Sequence, residues 1–276
     1  MRKKTIRRKR RLKIIPCLIL CFISSGVLVV TDHVFMASKD RFDDYVMDPE
    51  KSLEEQLKEL AQIDNRFTII LNHRDRYPDD ILMMVAKDPD TLDFVLEYPQ
   101  RKGTHSVSTL GKIDKGEIPM LLQWDQRWGY AAYGDTVIAL GGCAPTALSM
   151  VFSGLLGDHS ITPYVIAQYA QENGYYVSGI GSSWDLIEQA AFHYGIKCSV
   201  LPLSKDAVFA ALKRRYPIIC SMAPGDFTAS GHFIVLSGVK NGQIKVNDPN
   251  SIKRSEQLWD YEVLEDQINQ LWVFHI

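Results

Sequence analysis

Cysteine is scarce: five residues in a chain of 276. That is too few for a scaffold stapled by disulfides, so a hydrophobic core has to hold the fold. Glycine (18) and proline (12) stay near ordinary abundance, which excludes a collagen-like or low-complexity chain, and 46% hydrophobic with 23% charged residues excludes a wholly disordered one. Acidic residues are missing from positions 1–31, which hold nine of the 31 Lys and Arg. The rest of the chain then carries 22 basic against 33 acidic residues, a net charge of −11. Phosphate contacts need clustered cations, so this composition argues against nucleic acid as a partner.

The cations Arg2, Lys3, Lys4, Arg7, Arg8, Lys9, Arg10, Arg11 and Lys13 precede an uncharged run, Ile14–Val30, that extends to Thr31. Such a run is close to the length a bilayer-spanning helix needs, and flanking cations hold their side in the cytoplasm. The sequence therefore predicts a cytoplasmic tail over 1–13, a signal anchor over 14–31 and the remainder outside the cell. The alternative is a cleaved secretory signal ending at the weak site Met36-Ala37-Ser38. Bulky Leu20 argues against Cys21 as a lipid-attachment cysteine, and Cys17 and Cys21 read as lipid-packing residues.

Residues 32–116 read as a small helical spacer and linker. Asp48 and Pro49 suit a helix start before Leu53, Leu57, Leu60 and Ile63; Asp79–Ala86 and a segment opening at Asp88-Pro89 follow, and 103–116 is polar. Residues 117–276 change texture. Helices are predicted at Cys143–Leu155, at Ser183–Tyr194 with Trp184 inward, and at Ser204–Arg215. Strands are predicted at Cys198–Leu203, Pro217–Met222, His232–Val239, Gln243–Asn247 and Leu271–His275. The fold class is α+β, a leading helix and a mostly antiparallel sheet. Cys198 and Cys220 lie in apolar strands and are expected to be free thiols.

Cys143 stands in Gly141-Gly142-Cys143-Ala144-Pro145-Thr146 at the start of an apolar helix, where free N–H groups and the helix dipole favour a thiolate. The two glycines leave room for a substrate backbone. A thiol nucleophile needs a base, and the base an orienting group. Of seven histidines only His232 opens a strongly apolar strand. Asn241-Gly242 joins this strand to the next in one of two registers. A two-residue loop pairs Lys240 with Gln243, whereas a three-residue loop pairs Val239 with Gln243. The second buries a continuous apolar face and sets Asp248 diagonal to His232, making Asp248 the candidate orienter, with Asn247 its rival. The Cys143 N–H and the Gln123 side chain are candidate oxyanion donors, with Gln126 close by.

Four segments in order, QWDQRWGY, GGCAPTALSMV, GHFIVLSGV and VNDPN, make the chain from Ile118 to Phe274 resemble extracellular relatives of the bacteriocin-processing cysteine peptidases, family thirty-nine of the cysteine peptidases. YPDDILMMVAKDPDTLDFVLEYP looks like an extension some members carry. The resemblance implies a papain-like fold with Cys143 as nucleophile, His232 as base, Asp248 as orienter and Gln123 in the oxyanion hole. Ala144 departs from the glycine many relatives carry. The expectation is a membrane-anchored extracellular cysteine peptidase that uses no metal or cofactor and takes a peptide or protein substrate. The alternatives are a cell-wall peptide amidase or endopeptidase, and a catalytically silent papain-like binding module.

Overall fold

Ser52 and Glu55 close a capping box. Ser52 Oγ accepts from the Glu55 N–H at 3.3 Å, and Glu55 Oε2 accepts from the Ser52 N–H at 2.9 Å. In the computed structural model, which describes residues 41–276, this box starts helix α1 (Leu53–Ile63). It displaces the start expected at Asp48-Pro49, where Asp48 instead accepts from the Glu50 N–H in a turn. Leu57 and Leu60 are buried as their spacing predicts, whereas Ile63, on the last turn, is exposed.

Helix α2 (Phe67–Asn72), not expected from the sequence, follows; α3 (Asp79–Lys87) and α4 (Leu92–Arg101) lie where the patterning puts them. Asp88 caps the short turn between α3 and α4 by accepting from the Asp90 N–H at 3.2 Å. These four helices do not close a core alone. Phe67, Ile81, Phe94 and Tyr98 share one apolar cluster with Trp124, Tyr130, Val137 and Ala139. Phe94 stacks on Tyr130 at 4.2 Å between centroids, and the Tyr130 hydroxyl donates to the Phe94 carbonyl at 3.0 Å. The predicted tail, the run at 14–31 and the site at Met36-Ala37-Ser38 lie outside the described residues. Among the described residues no helix is long and apolar enough to cross a membrane.

Beyond the polar stretch, the hairpin β1 (Ala132–Tyr133) and β2 (Thr136–Val137) leads through the one-turn helix α5 (Ile138–Gly141) into α6 (Cys143–Leu156). Helix α6 is apolar but for Thr146, Ser149 and Ser153, and every residue from Ala144 to Leu155 is buried, as so uncharged a helix requires. Thr162, capping through the Val165 N–H, and Pro163 start α7 (Pro163–Glu172). A second hairpin, β3 (Tyr176–Val177) and β4 (Gly181–Ser182), precedes α8 (Asp185–His193). Trp184, expected to point inward, is 47% exposed. The helix begins one residue after it, so Trp184 falls outside the apolar stripe and its ring meets Trp272 edge-on at 5.6 Å.

The rest of the chain is β5 (Lys197–Val200), α9 (Lys205–Lys213), β6 (Ile218–Met222), β7 (His232–Lys240), β8 (Gln243–Asn247), α10 (Ile252–Glu256), β9 (Leu258–Trp259), α11 (Tyr261–Glu265) and β10 (Ile268–His275). The strands form one antiparallel sheet in the order β5-β10-β6-β7-β8-β9. Side chains alternate between its faces. Phe233 and Val235 join Ile219, Trp272 and Phe274 against α6, α7 and α8. Ile234 and Leu236 join Cys220, Ile244 and Val246 against α9 and α11. Strand β10 separates Cys198 from Cys220, so two strand spacings, about 10 Å, lie between them. A disulfide spans about 7 Å at most between Cα atoms.

The β7–β8 hairpin corrects the expected register at its turn. Lys240 pairs with Gln243 around a two-residue loop, because Asn241 (φ 54°) and Gly242 (φ 82°) both take the left-handed conformation that matches the strand twist. A bulge at Ser237 then shifts the register by one residue. Leu236 pairs with Val246 and Val235 with Asn247, the pairing the three-residue loop was expected to deliver. The bulge keeps Val239 opposite Ile244 and Leu236 opposite Val246, so the apolar face stays continuous on both sides of it.

Gly154 lets α6 lie directly on the 117–118 backbone: a Cβ there would sit 2.6 Å from the Glu117 carbonyl oxygen and 2.8 Å from Ile118 Cδ1. Helix propensity alone would favour alanine by up to about 1 kcal/mol. Overpacking against backbone costs about 1–3 kcal/mol and outweighs it. Gly154→Ala is expected to destabilise the fold by about 1–2 kcal/mol, read as a lower urea midpoint at unchanged m-value; a raised midpoint would show that α6 does not pack here as described.

Candidate active site

Cys143 is the first residue of α6, with Gly142 as the N-cap. The residue as a whole is half-buried. The N–H groups at this end have no carbonyl of their own helix to pair with, so they present positive charge toward the sulfur. The glycines before it also have a use in local packing. A Cβ on Gly142 would lie 2.5 Å from the Ile138 carbonyl oxygen, and one on Gly141 would lie 3.0 Å from Thr136 Cγ2. They let α5 fold tightly against the head of α6.

His232 begins β7 and is buried. Its Nε2 lies 2.7 Å from Asp248 Oδ1, so Nδ1 is the nitrogen left for the Cys143 thiol, with which the imidazole also hydrogen-bonds. Burial disfavours the imidazolium, but the Asp248 carboxylate and then the Cys143 sulfur outweigh it and raise the His232 pKa to about 9. Burial also disfavours the thiolate of Cys143. The His232 hydrogen bond and charge, with the N–H groups of Phe233 and Ala144, overcome it and hold the thiol below its ordinary value.

Asp248 is fully buried at the end of β8. Besides His232 it accepts from the Asn250 N–H at 2.8 Å and, through Oδ2, from Arg254 Nε at 2.5 Å. Burial works against its charge; His232 first and then Arg254 keep its pKa below the ordinary carboxylate value. Asp248 thus makes the histidine contact and also opens the Asp-Pro-Asn turn that follows β8. The rival Asn247 points elsewhere. Its side chain accepts from Ser237 Oγ at 2.9 Å and donates to the Pro119 carbonyl at 3.1 Å.

Gln123 is buried between the segment after Asp248 and the one that leads to Cys143. Its backbone N–H donates to the Pro249 carbonyl at 2.7 Å, and Nε2 donates to the Ala139 carbonyl at 2.6 Å. Oε1 accepts no hydrogen bond within the protein. Gln126 exposes its backbone carbonyl to Arg101, 2.9 Å away, on the side of α4.

Two contributors escaped the sequence reading. Arg254 is one, although its signal was present: Ser251 accepts from the Arg254 N–H, so a serine cap after the Asp-Pro-Asn turn starts α10 and brings position 254 back over Asp248. The other is the pair Tyr133 and Ser182, whose hydroxyls lie 2.6 Å apart in the interior near Cys143. They sit on two-residue strands that periodicity does not reveal.

A thiol at the head of a buried helix and an imidazole–carboxylate pair on two strands of an antiparallel sheet define an α+β fold of the C39-like peptidase type. The model described as the Peptidase_C39 like family matches residues 115–273, more than half of the chain, and the chain belongs to this family. Among solved structures, the peptidase domain of Streptococcus ComA, a bi-functional ABC transporter involved in a quorum sensing pathway, is 19% identical over 49% of this chain and 90% of that one, with a TM-score of 0.39. A double glycine motif protease from an AMS/PCAT transporter, in complex with its leader peptide, is 16% identical over 61% and 98%, with a TM-score of 0.33. No curated protein matches the chain significantly.

Asn247 thus ties the bulge to the 118–119 segment without touching the imidazole. Asn247→Ala takes a partner from the half-buried Ile118 and Pro119 carbonyls and from Ser237 Oγ, a loss of about 1–2 kcal/mol. Thermal unfolding is expected to show that loss while the pH profile of Cys143 alkylation stays in place. A displaced profile at unchanged stability would mean that Asn247 acts on the imidazole after all.

Proposed function

We propose that the chain is a cysteine peptidase that hydrolyses peptide bonds by acyl transfer. The observation carrying this reading is His232, held between the Asp248 carboxylate and the Cys143 thiol at the head of α6. The proton passes from Sγ to the imidazole, and the thiolate attacks the substrate carbonyl carbon. The carbonyl electron pair moves onto oxygen, beside the Cys143 N–H and the second Nε2–H of Gln123. The C–N bond then breaks as His232 gives its proton to the leaving nitrogen. Water, deprotonated by the same imidazole, attacks the thioester, releasing the carboxylic acid and regenerating the thiolate.

The same proposal places the enzyme outside the cell on a membrane anchor, supported by the nine cations ahead of the uncharged run at 14–31. Protease added to intact cells is then expected to remove the folded part; its survival, while an outer-surface control is digested, would reverse the topology.

Cys143 alkylation is expected to persist well below pH 8.5, the ordinary thiol pKa of about that value being overcome by the imidazolium and the helix head. The raised pKa of His232 keeps its proton in place at lower pH and surrenders it as pH rises through about 9. Peptide turnover is therefore expected to fall on that side, for want of a proton for the leaving nitrogen. His232→Ala should abolish the low-pH alkylation and slow turnover by about 10²–10⁴-fold. Gln123→Ala should slow turnover by about 10²–10³-fold while sparing alkylation. A profile for Cys143 like that of a free thiol, unchanged by His232→Ala, would refute the peptidase reading.

A further inference from the structure

Asp248 is fully buried, and two cations hold it. They differ in kind. His232 gives its proton to the leaving nitrogen in the proposed cycle and stays neutral until it takes one from water, whereas an arginine keeps its charge at every working pH. Whenever the imidazole is neutral, the buried carboxylate would stand unpaired, a condition costing several kcal/mol, were Arg254 not there. Arg254 is built to stay. Its backbone N–H is capped by Ser251, its carbonyl accepts from Trp259 Nε1 at 2.9 Å, and its guanidinium lies 5.9 Å from the centre of the Phe227 ring. Ile252, two residues before it, packs against the helical cluster.

We propose that Arg254 is a positioning residue of the reaction, the permanent counter-charge that holds Oδ2 of Asp248 so that Oδ1 stays on His232 when the imidazole is neutral. The inference rests on the peptidase reading above. The charged groups around the carboxylate are His232 from β7, with Cys143 of α6 beyond it, Arg254 from α10, and Asp88 at the end of α3. Burial first, then Asp90, pushes the Asp88 pKa up to about 6, on the acid side of the His232 transition.

Removing the positive charge of Arg254 leaves the full field of Asp248 on the imidazole, so His232 should hold its proton more tightly. In the full chain, the upper inflection of Cys143 alkylation by iodoacetamide, mapped by mass spectrometry and checked by NMR titration of the His232 ring, is expected near pH 9 in the parent. It should rise by about one unit in Arg254→Met, with turnover falling at least tenfold at pH 7 because the proton is released reluctantly. Arg254→Lys keeps the charge and loses the fork, so its inflection should stay within a few tenths of the parent while turnover falls. If Arg254→Met does not fold, Arg254→Gln, an uncharged donor, is expected to show the same upward shift. An inflection unmoved in a folded, uncharged variant overturns the role of Arg254 and leaves the peptidase reading intact. A parent without low-pH reactivity removes both.

Discussion

A carboxylate with no exposed surface governs this structure. Taking Asp248 out of water costs several kcal/mol after relaxation, and nearby positive charge has to return it. The protein brings that charge from two directions, His232 on one carboxylate oxygen and Arg254 on the other. With Cys143 ionised, the cluster alternates in sign from guanidinium to carboxylate to imidazolium to thiolate and sums to zero. Moving the thiol proton to the imidazole leaves that sum unchanged, so thiolate is formed inside the protein without net charge being buried. This is why a thiol partly enclosed by apolar side chains has its pKa lowered, whereas Cys198, half-buried, is pushed up to about 12 by that burial first and then by Glu188.

Holding the cluster fixes the elements around it. The imidazole and the carboxylate come from adjacent strands whose pairing must be right to one residue, since a slip of one moves a side chain to the other face. The bulge at Ser237 settles that pairing, and Asn247 secures it by accepting from Ser237 and donating to the 118–119 backbone. The thiol comes from α6, whose approach depends on Gly142 at one end and Gly154 near the other, each with backbone where a Cβ would sit. Gln123 is tied to the Pro249 and Ala139 carbonyls, each next to a segment that carries a site residue.

Much of this was legible in the sequence, for identifiable reasons. The positions of α3, α6, α9 and five of the six strands of the large sheet follow from apolar spacing and caps, which are local signals; the two-residue β9 is too short to carry one. His232 and Asp248 were brought together by demanding a continuous apolar face on the β7–β8 pair. That demand is correct, but it was met by a bulge inside the strand and not by the turn, where Asn241 and Gly242 obey their own preference. Periodicity carries no mark of such a bulge. Trp184 falls outside the apolar stripe because α8 starts at Asp185, two residues after the start expected at Ser183. Arg254 was missed because its importance lies in a contact across six residues that include a turn and a cap, none of which is periodic.

The helical layer was read from sequence as a spacer, and its packing gives it a larger part. Its apolar face is completed by Trp124, Tyr130, Val137 and Ala139, with Leu122, Leu140 and Ile252 at the margin. Four of these stand one to three residues from a group at the site: Leu122 and Trp124 flank Gln123, Leu140 precedes the glycines before Cys143, and Ile252 precedes Arg254. Trp124 also donates through Nε1 to the Asn250 carbonyl, 3.3 Å away, within the turn that carries Asp248. A protein interior is close-packed and transmits displacement instead of absorbing it. The segments that carry the amide and the guanidinium, and the turn of α5 ahead of the thiol, therefore rest on one shared core, while Cys143 itself packs on the cluster around α6, and the helices that complete the first core are part of what gives the site its geometry.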